Sequence, residues 1–228
     1  MASFAEGAWV WVRDEDHFCL AVRATHAFTA GESAVVVECE DGSEQTLTGA
    51  QTEHASALDP QVLDGGAIDD LISLSDLRAE ALLHILRTRF SADSIYTCIG
   101  SILLSVNPFK PLPLFTPQIL SQHLRSAAAG AVGGQLAPHI YAIGAQAWRN
   151  VLNTGKPQSV VCSGESGAGK TEATKLILQC LTAAARGGGA AAARWASSGA
   201  SSAPIRWWRL SATPRPRATT TPRVSASS

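Results

Sequence analysis

Gln158-Ser159-Val160-Val161-Cys162-Ser163, followed by Gly164-Glu165-Ser166-Gly167-Ala168-Gly169-Lys170-Thr171 and then by Glu172 to Thr182, is the stretch on which the fold turns. The first six residues predict a short buried strand. The last eleven carry apolar side chains at helical spacing, at Ala173, Leu176, Ile177, Cys180 and Leu181. Between them stands a GxxxxGKT loop, and strand, loop and helix in that order are the context this motif requires. Gly164, Gly167 and Gly169 permit backbone angles and a close approach that a Cβ would obstruct, so that successive N–H groups can converge on phosphate oxygens. The positive end of the following helix adds to the attraction. Lys170 is expected to reach the β- and γ-phosphates, and Thr171 to offer its hydroxyl to Mg²⁺. Glu165, Ser166 and Ala168 complete the predicted cradle.

Upstream, Ala137 to Leu152 reads as a helix with Ile140, Ile143, Gly144, Ala147, Trp148 and Val151 on one side, stopped by Gly155 and Pro157. Thr116-Pro117 has the form of an N-cap with proline at the first helical position, opening a short helix through about Leu124. Ser126 to Gly134, rich in alanine and glycine, is expected to be a loop. Ile95 to Val106 is nearly continuous in β-prone hydrophobics and predicts strand structure covered on both faces, ending at Asn107-Pro108. A further helix is expected near Ser73, with Asp76 completing a capping box and Leu74, Leu77, Ala81, Leu82 and Ile85 forming its apolar face. The opening residues alternate at strand period in Trp9-Val10-Trp11-Val12, Cys19-Leu20-Ala21-Val22 and Val35-Val36-Val37, with a turn at Asp41-Gly42. One of the two tryptophans is expected in the core of a small barrel.

The chain has 228 residues and a formal net charge of −1, yet that figure conceals an asymmetry: residues 1–185 carry −8 and the remaining 43 carry +7 with no acid. The C-terminal stretch also runs to Gly187-Gly188-Gly189, alanine, serine, threonine and proline, a composition that buries no core. Residues 186–228 are therefore read as a disordered basic tail. Its arginines, with Trp195, Trp207 and Trp208, would suit a nucleic acid only as a secondary reading, and no nucleic-acid partner is expected. Five cysteines and six histidines show no metal-ligand or disulfide spacing. No apolar run approaches the ~18 residues of a membrane span, and no secretory leader precedes the first strand. An intracellular protein without membrane partners is expected.

GESGAGKT followed by Glu172 and Thr174-Lys175 resembles the P-loop of myosins. Other segments resemble myosin heads in the same order: Asp69-Asp70-Leu71, Leu82-Leu83-His84 with Arg87-Thr88-Arg89-Phe90, Ile95-Tyr96-Thr97, Val106-Asn107-Pro108-Phe109-Lys110, and Pro138-His139-Ile140-Tyr141-Ala142. The resemblance covers about residues 8–185. It implies an α/β fold: a small all-β SH3-like barrel over residues 1–50, a linker over 51–66, and the N-terminal part of a P-loop motor domain over 67–185. It implies ATP and Mg²⁺ as cofactors, actin as the partner of the intact motor, and a cytoplasmic, cytoskeleton-associated location. It would also place Asn107 and Pro108 beside adenine, with Phe115 where the family has tyrosine, so that ring packing is kept and a phenolic hydrogen bond is lost. No stretch similar to the family's switch I, switch II or actin-binding region follows Ala185. Expected on this basis is an ATP-binding fragment of a motor without assigned turnover. The alternatives are a truncated, non-catalytic nucleotide-binding or interaction module and, ranked lower, a small P-loop kinase.

Overall fold

Val10 and Val12 point to one side of a strand and Trp11 to the other, and this alternation organises the first third of the chain. The computed structural model describes residues 1–15, 18–75, 77–130 and 136–187. In it β1 (Ser3–Phe4) pairs with β4 (Phe28–Thr29), while β2 (Trp9–Asp14), β3 (Phe18–Ala24), β5 (Val35–Cys39), β6 (Glu44–Leu47) and β7 (Ser56–Ala57) form a five-stranded sheet. Its order is β6-β5-β3-β2-β7 and every pairing is antiparallel. Gly42, at φ +80°, closes the turn from β5 to β6. Val10, Val12, Val22, Val35, Val37 and Leu47 fill the inner face of this unit together with Phe4 and Phe28. A four-residue helix, α1 (Gly49–Thr52), leads to β7, so residues beyond position 50 also add a strand to the first sheet.

Trp11 does not enter that inner core. With Cys19 and Ala21 it faces the opposite side and packs against Leu71, Ala81 and Ile85, the last two on α2 (Ala79–Ser91). Trp9 is partly buried against the same cluster. The expectation of a tryptophan in the barrel core is thus corrected: valines fill the inside and the indole joins the sheet to the next unit.

The helix expected from Ser73 begins at Ala79, and Leu77 is exposed. Ser73 instead closes a 3₁₀ turn, Leu71–Ser73, its hydroxyl donating to Asp70 O at 2.7 Å, which diverts it from the expected cap. The run from Ile95 forms the expected strand structure as β8 (Tyr96–Ile99) and β9 (Ile102–Ser105), an antiparallel hairpin that is not covered on both faces. Gly100, at φ +56°, makes the reversal, and Ile102 is exposed. Beside it the Asp69–Asp70 backbone runs parallel to β8, with Cys98 N donating to Asp69 O at 2.8 Å.

Arg89 fastens this region. It is only 4% exposed and donates to Thr97 Oγ1 (3.0 Å), Tyr96 O (3.0 Å), Gly66 O (3.0 Å) and Asp69 Oδ1 (2.8 Å). One planar guanidinium satisfies partners from three segments.

Three helices follow. α3 (Pro117–Ala128) starts where Thr116 accepts from Ile119 N and extends past Leu124 through the first residues of the expected alanine-glycine loop. Residues 131–134 of that loop lie outside the described part. α4 (Ile140–Thr154) is capped at its start by His139 Nδ1, which accepts from Tyr141 N at 3.1 Å, and ends at Gly155 in the left-handed conformation. α5 (Lys170–Gly187) packs along α4, and α4 also packs on α3. Tyr96, Leu120, Tyr141, Ala145, Ile177 and Cys180 join these elements in a third core.

Gln158 to Ser163, expected as a buried strand, forms no strand; Val160 is 39% exposed and Val161 85%. Among the described residues no neighbouring strand offers its backbone a ladder, and without one the valines have nothing to pack against. The disordered tail expected from residue 186 lies outside the described part beyond Gly187.

Candidate functional site

The loop between Ser163 and α5 has the backbone its sequence requires. Gly164, Gly167 and Gly169 take φ of +153°, +86° and +93°. A Cβ on Gly164 would stand 3.0 Å from the Ala168 Cβ, so glycine there answers to crowding as well as to angle. Ala168 N closes a turn onto Glu165 O at 3.2 Å, and Ala173 N makes an early helical bond to Gly169 O at 2.9 Å. The N–H groups of the helix's first turn therefore lack partners within the helix.

Lys170 folds over the loop. Its Nζ donates to Gly164 O at 2.7 Å and to Glu165 O at 2.6 Å, which fixes the cation against the loop backbone and leaves one of its three N–H bonds uncommitted to these two carbonyls. Thr171 is exposed at the start of α5. One turn on, the Thr174 hydroxyl lies between Lys170 O (2.9 Å) and Cys162 Sγ (3.9 Å), tying the helix start to the segment that leads into the loop. Glu172 and Lys175 form an exposed pair at 2.7 Å, which contributes little to stability but puts an acid in the helix's first turn.

Sixty residues earlier in sequence, the β8–β9 hairpin delivers Asn107 to the same place. Its Nδ2 donates to Gly167 O at 2.8 Å and its Oδ1 accepts from Phe109 N at 3.0 Å. Pro108 follows directly, and Phe109 takes φ +50°. Phe115 belongs to a different grouping: its ring lies 5.7 Å from His139 and 6.3 Å from Tyr141, on the third core. His139 is the hub of that cluster, stacked on His123 at 5.0 Å and edge-on to Tyr96 at 5.2 Å. Its Nδ1 caps α4 and its Nε2 meets Leu114 O at 3.1 Å, so it is the neutral tautomer with hydrogen on Nε2. Burial pushes the His139 pKa down to about 4, and the adjacent His123 acts in the same direction. These histidines are aromatic core and helix cap.

Asn107 and the 164–171 loop are thus brought together, while Phe115 sits among the rings. The tie from Asn107 to Gly167 is the part of the site that residue types did not reveal, because it joins a side chain and a carbonyl distant in sequence. The donor set suits a phosphate chain: loop and helix N–H groups, one fixed ammonium, and a hydroxyl at Thr171.

Residues 68–202 match the family described as the myosin head (motor domain). The match runs on past Ala185 into residues outside the described part. The Myosin-J heavy chain of Dictyostelium discoideum is 36% identical over 180 residues, covering 79% of this chain and 8% of its own length. Myosin-15 of Arabidopsis thaliana is 36% identical over 177 residues, 78% of this chain and 11% of its own. Unconventional myosin-Ia of Gallus gallus is 43% identical over 122 residues, 54% of this chain and 11% of its own. The chain spans about a tenth of the length of these relatives. With more than half its residues matching the family, the chain belongs to the myosin heads.

Proposed function

We propose that this chain supplies the nucleotide-binding part of an actin-based myosin motor and takes Mg-ATP on the loop Gly164–Thr171. The observation that carries the proposal is the loop itself: three glycines at positive φ run into an eighteen-residue helix, with the Lys170 ammonium held across them. Loop N–H groups and the helix start would receive the phosphate oxygens, and Lys170 would direct its remaining N–H to the β- and γ-phosphates or exchange a carbonyl for them. Thr171 would give its hydroxyl to Mg²⁺. The metal, when bound, would neutralise phosphate charge. Pro108 would flank the base, with Asn107 beside it turned by its side chain to Gly167 O, and Phe115 would support that loop from the aromatic cluster.

In this proposal the unit of β1 to β7 is the SH3-like barrel that precedes the head, residues from 67 on begin the P-loop NTPase-type domain, and the intact motor works on actin in the cytoplasm. Among the described residues no helix is long and apolar enough to cross a membrane.

The test is Mg-ATP binding by the full chain, measured by titration calorimetry, with Lys170→Ala beside it. Loss of a charge-assisted contact worth roughly 1.5–3 kcal/mol predicts affinity weaker by about 10- to 150-fold. Equal binding by the two chains would refute the assignment of the loop.

A further inference from the structure

We infer that Asn107 is a positioning residue for the phosphate cradle, acting by holding the Gly167 carbonyl and hence the plane of the Gly167–Ala168 peptide. The inference rests on the proposed phosphate-binding role of residues 164–171. Both ends of the Asn107 carboxamide are engaged by the backbone: the amide donates to Gly167 O and the oxygen accepts from Phe109 N. Because one partner can only accept and the other can only donate, the orientation of the carboxamide is determined.

A trans peptide is planar, with its C=O and N–H pointing opposite ways. When Asn107 draws the Gly167 carbonyl outward, the Ala168 N–H is turned inward, where it meets Glu165 O at 3.2 Å. Gly167 needs such a tether. It sits at φ +86° with nothing within 4 Å of where a Cβ would be, so its own surroundings do not restrict it. The plane of the peptide after this glycine is therefore left to two ties, Asn107 on its carbonyl and Glu165 O on its N–H. Ala168 and Gly169 lead straight into Lys170, so the aim of the donors at the helix start depends on that one peptide plane.

The anchor on the other side is firm. Val106 N donates to Ile95 O at 3.0 Å, closing the hairpin behind Asn107, and Lys110 pairs with Asp93 at 2.6 Å just beyond it. Asn107 is only half-buried, so the tie is a hydrogen bond of ordinary strength.

The experiment separates a cradle-positioning role from a base-reading one by using a ligand with no base. Asn107→Ser keeps a short hydroxyl able to accept from Phe109 N, adds no charge, and is too short to reach Gly167 O. Binding of Mg-pyrophosphate and of Mg-ATP is measured for the full wild-type chain and for Asn107→Ser. Expected is a two- to ten-fold weakening, about the worth of one neutral hydrogen bond, by the same factor for both ligands. Amide exchange without ligand should accelerate across residues 163–169 and stay unchanged in α4. Weakening for Mg-ATP alone would assign Asn107 to the base, and no weakening for either would make the contact incidental; each overturns the inference. Lys170→Ala is run alongside. If it leaves Mg-pyrophosphate binding intact, the loop assignment itself fails and the inference with it.

Discussion

Replacing Arg89 with alanine is expected to cost about 3–5 kcal/mol of stability, whereas Asp69→Asn should cost no more than ~1 kcal/mol, although the two side chains form an ion pair at 2.8 Å. The difference comes from where each partner lies. Arg89 is 4% exposed, and its loss strands Thr97 Oγ1 and the carbonyls of Tyr96 and Gly66. Hydrogen bonds to a charged group are each worth roughly 1.5–3 kcal/mol, but they share one side chain and do not add, and water entering the cavity offsets part of the loss. The Asp69 side chain is 56% exposed, so solvent screens its charge, and asparagine still offers an oxygen to the guanidinium. Urea denaturation followed by circular dichroism measures both. With a slope of about 2 kcal/mol per molar, Arg89→Ala should lower the midpoint by roughly 1.5–2.5 M and Asp69→Asn by less than about 0.5 M. Equal shifts would mean that the charge pair, not the buried hydrogen bonds, is what Arg89 contributes, and would refute the reasoning.

Two further changes probe the helices around the loop. Gly144→Ala would place a Cβ 3.1 Å from both Cβ and Sγ of Cys180, where α4 and α5 touch; overpacking of about 1–3 kcal/mol exceeds the ~1 kcal/mol gained in helix propensity, so the urea midpoint should fall, and a rise would show the helices to be farther apart. His139, held down to about 4 by burial against an ordinary 6.5, binds its proton more readily in the unfolded chain, so its contribution is intact above pH 6.5 and is lost as pH falls towards 4. His123, lowered by burial, adds a slope of the same sign. His139→Asn keeps an oxygen to cap α4 and should flatten the stability profile between pH 6.5 and 4; an unchanged profile would clear His139 of the effect.

Where the determinants were local, the sequence was readable. Thr116 before Pro117, Gly155 after the last turn of α4, and the glycines of the 164–171 loop each impose or permit one backbone state, and those states are present. Alternation in the first fifty residues identified strands for the same reason. It does not say which face the other units cover, so a tryptophan is expected inside the barrel while Trp11 packs on its outer side. Ser73 looked like a cap because hydroxyl and acid were correctly spaced, but the Asp70 carbonyl competed for that hydroxyl. Ile95 to Val106 was hydrophobic throughout, and only Gly100 hinted that it would reverse. Val160 and Val161 illustrate the opposite limit, since a strand exists only with a partner for its ladder. At the site, the motif accounts for the glycine angles and the start of α5, while the Asn107–Gly167 contact depends on two segments meeting in three dimensions.

Trp11 has a consequence for how force and heat would travel through this chain. An indole buries some 150–250 Å². At about 25 cal/mol per Å², burial of the whole indole is worth roughly 4–6 kcal/mol, a share of it made against Ala81, His84 and Ile85 of α2 and the rest against Leu58, Val62 and Leu71. A joint of that strength is a weld rather than a hinge. The β-unit should not swing as a pendant arm or melt as a separate step, and a strain applied to its strands would be felt at α2, and through Arg89 at the hairpin that carries Asn107.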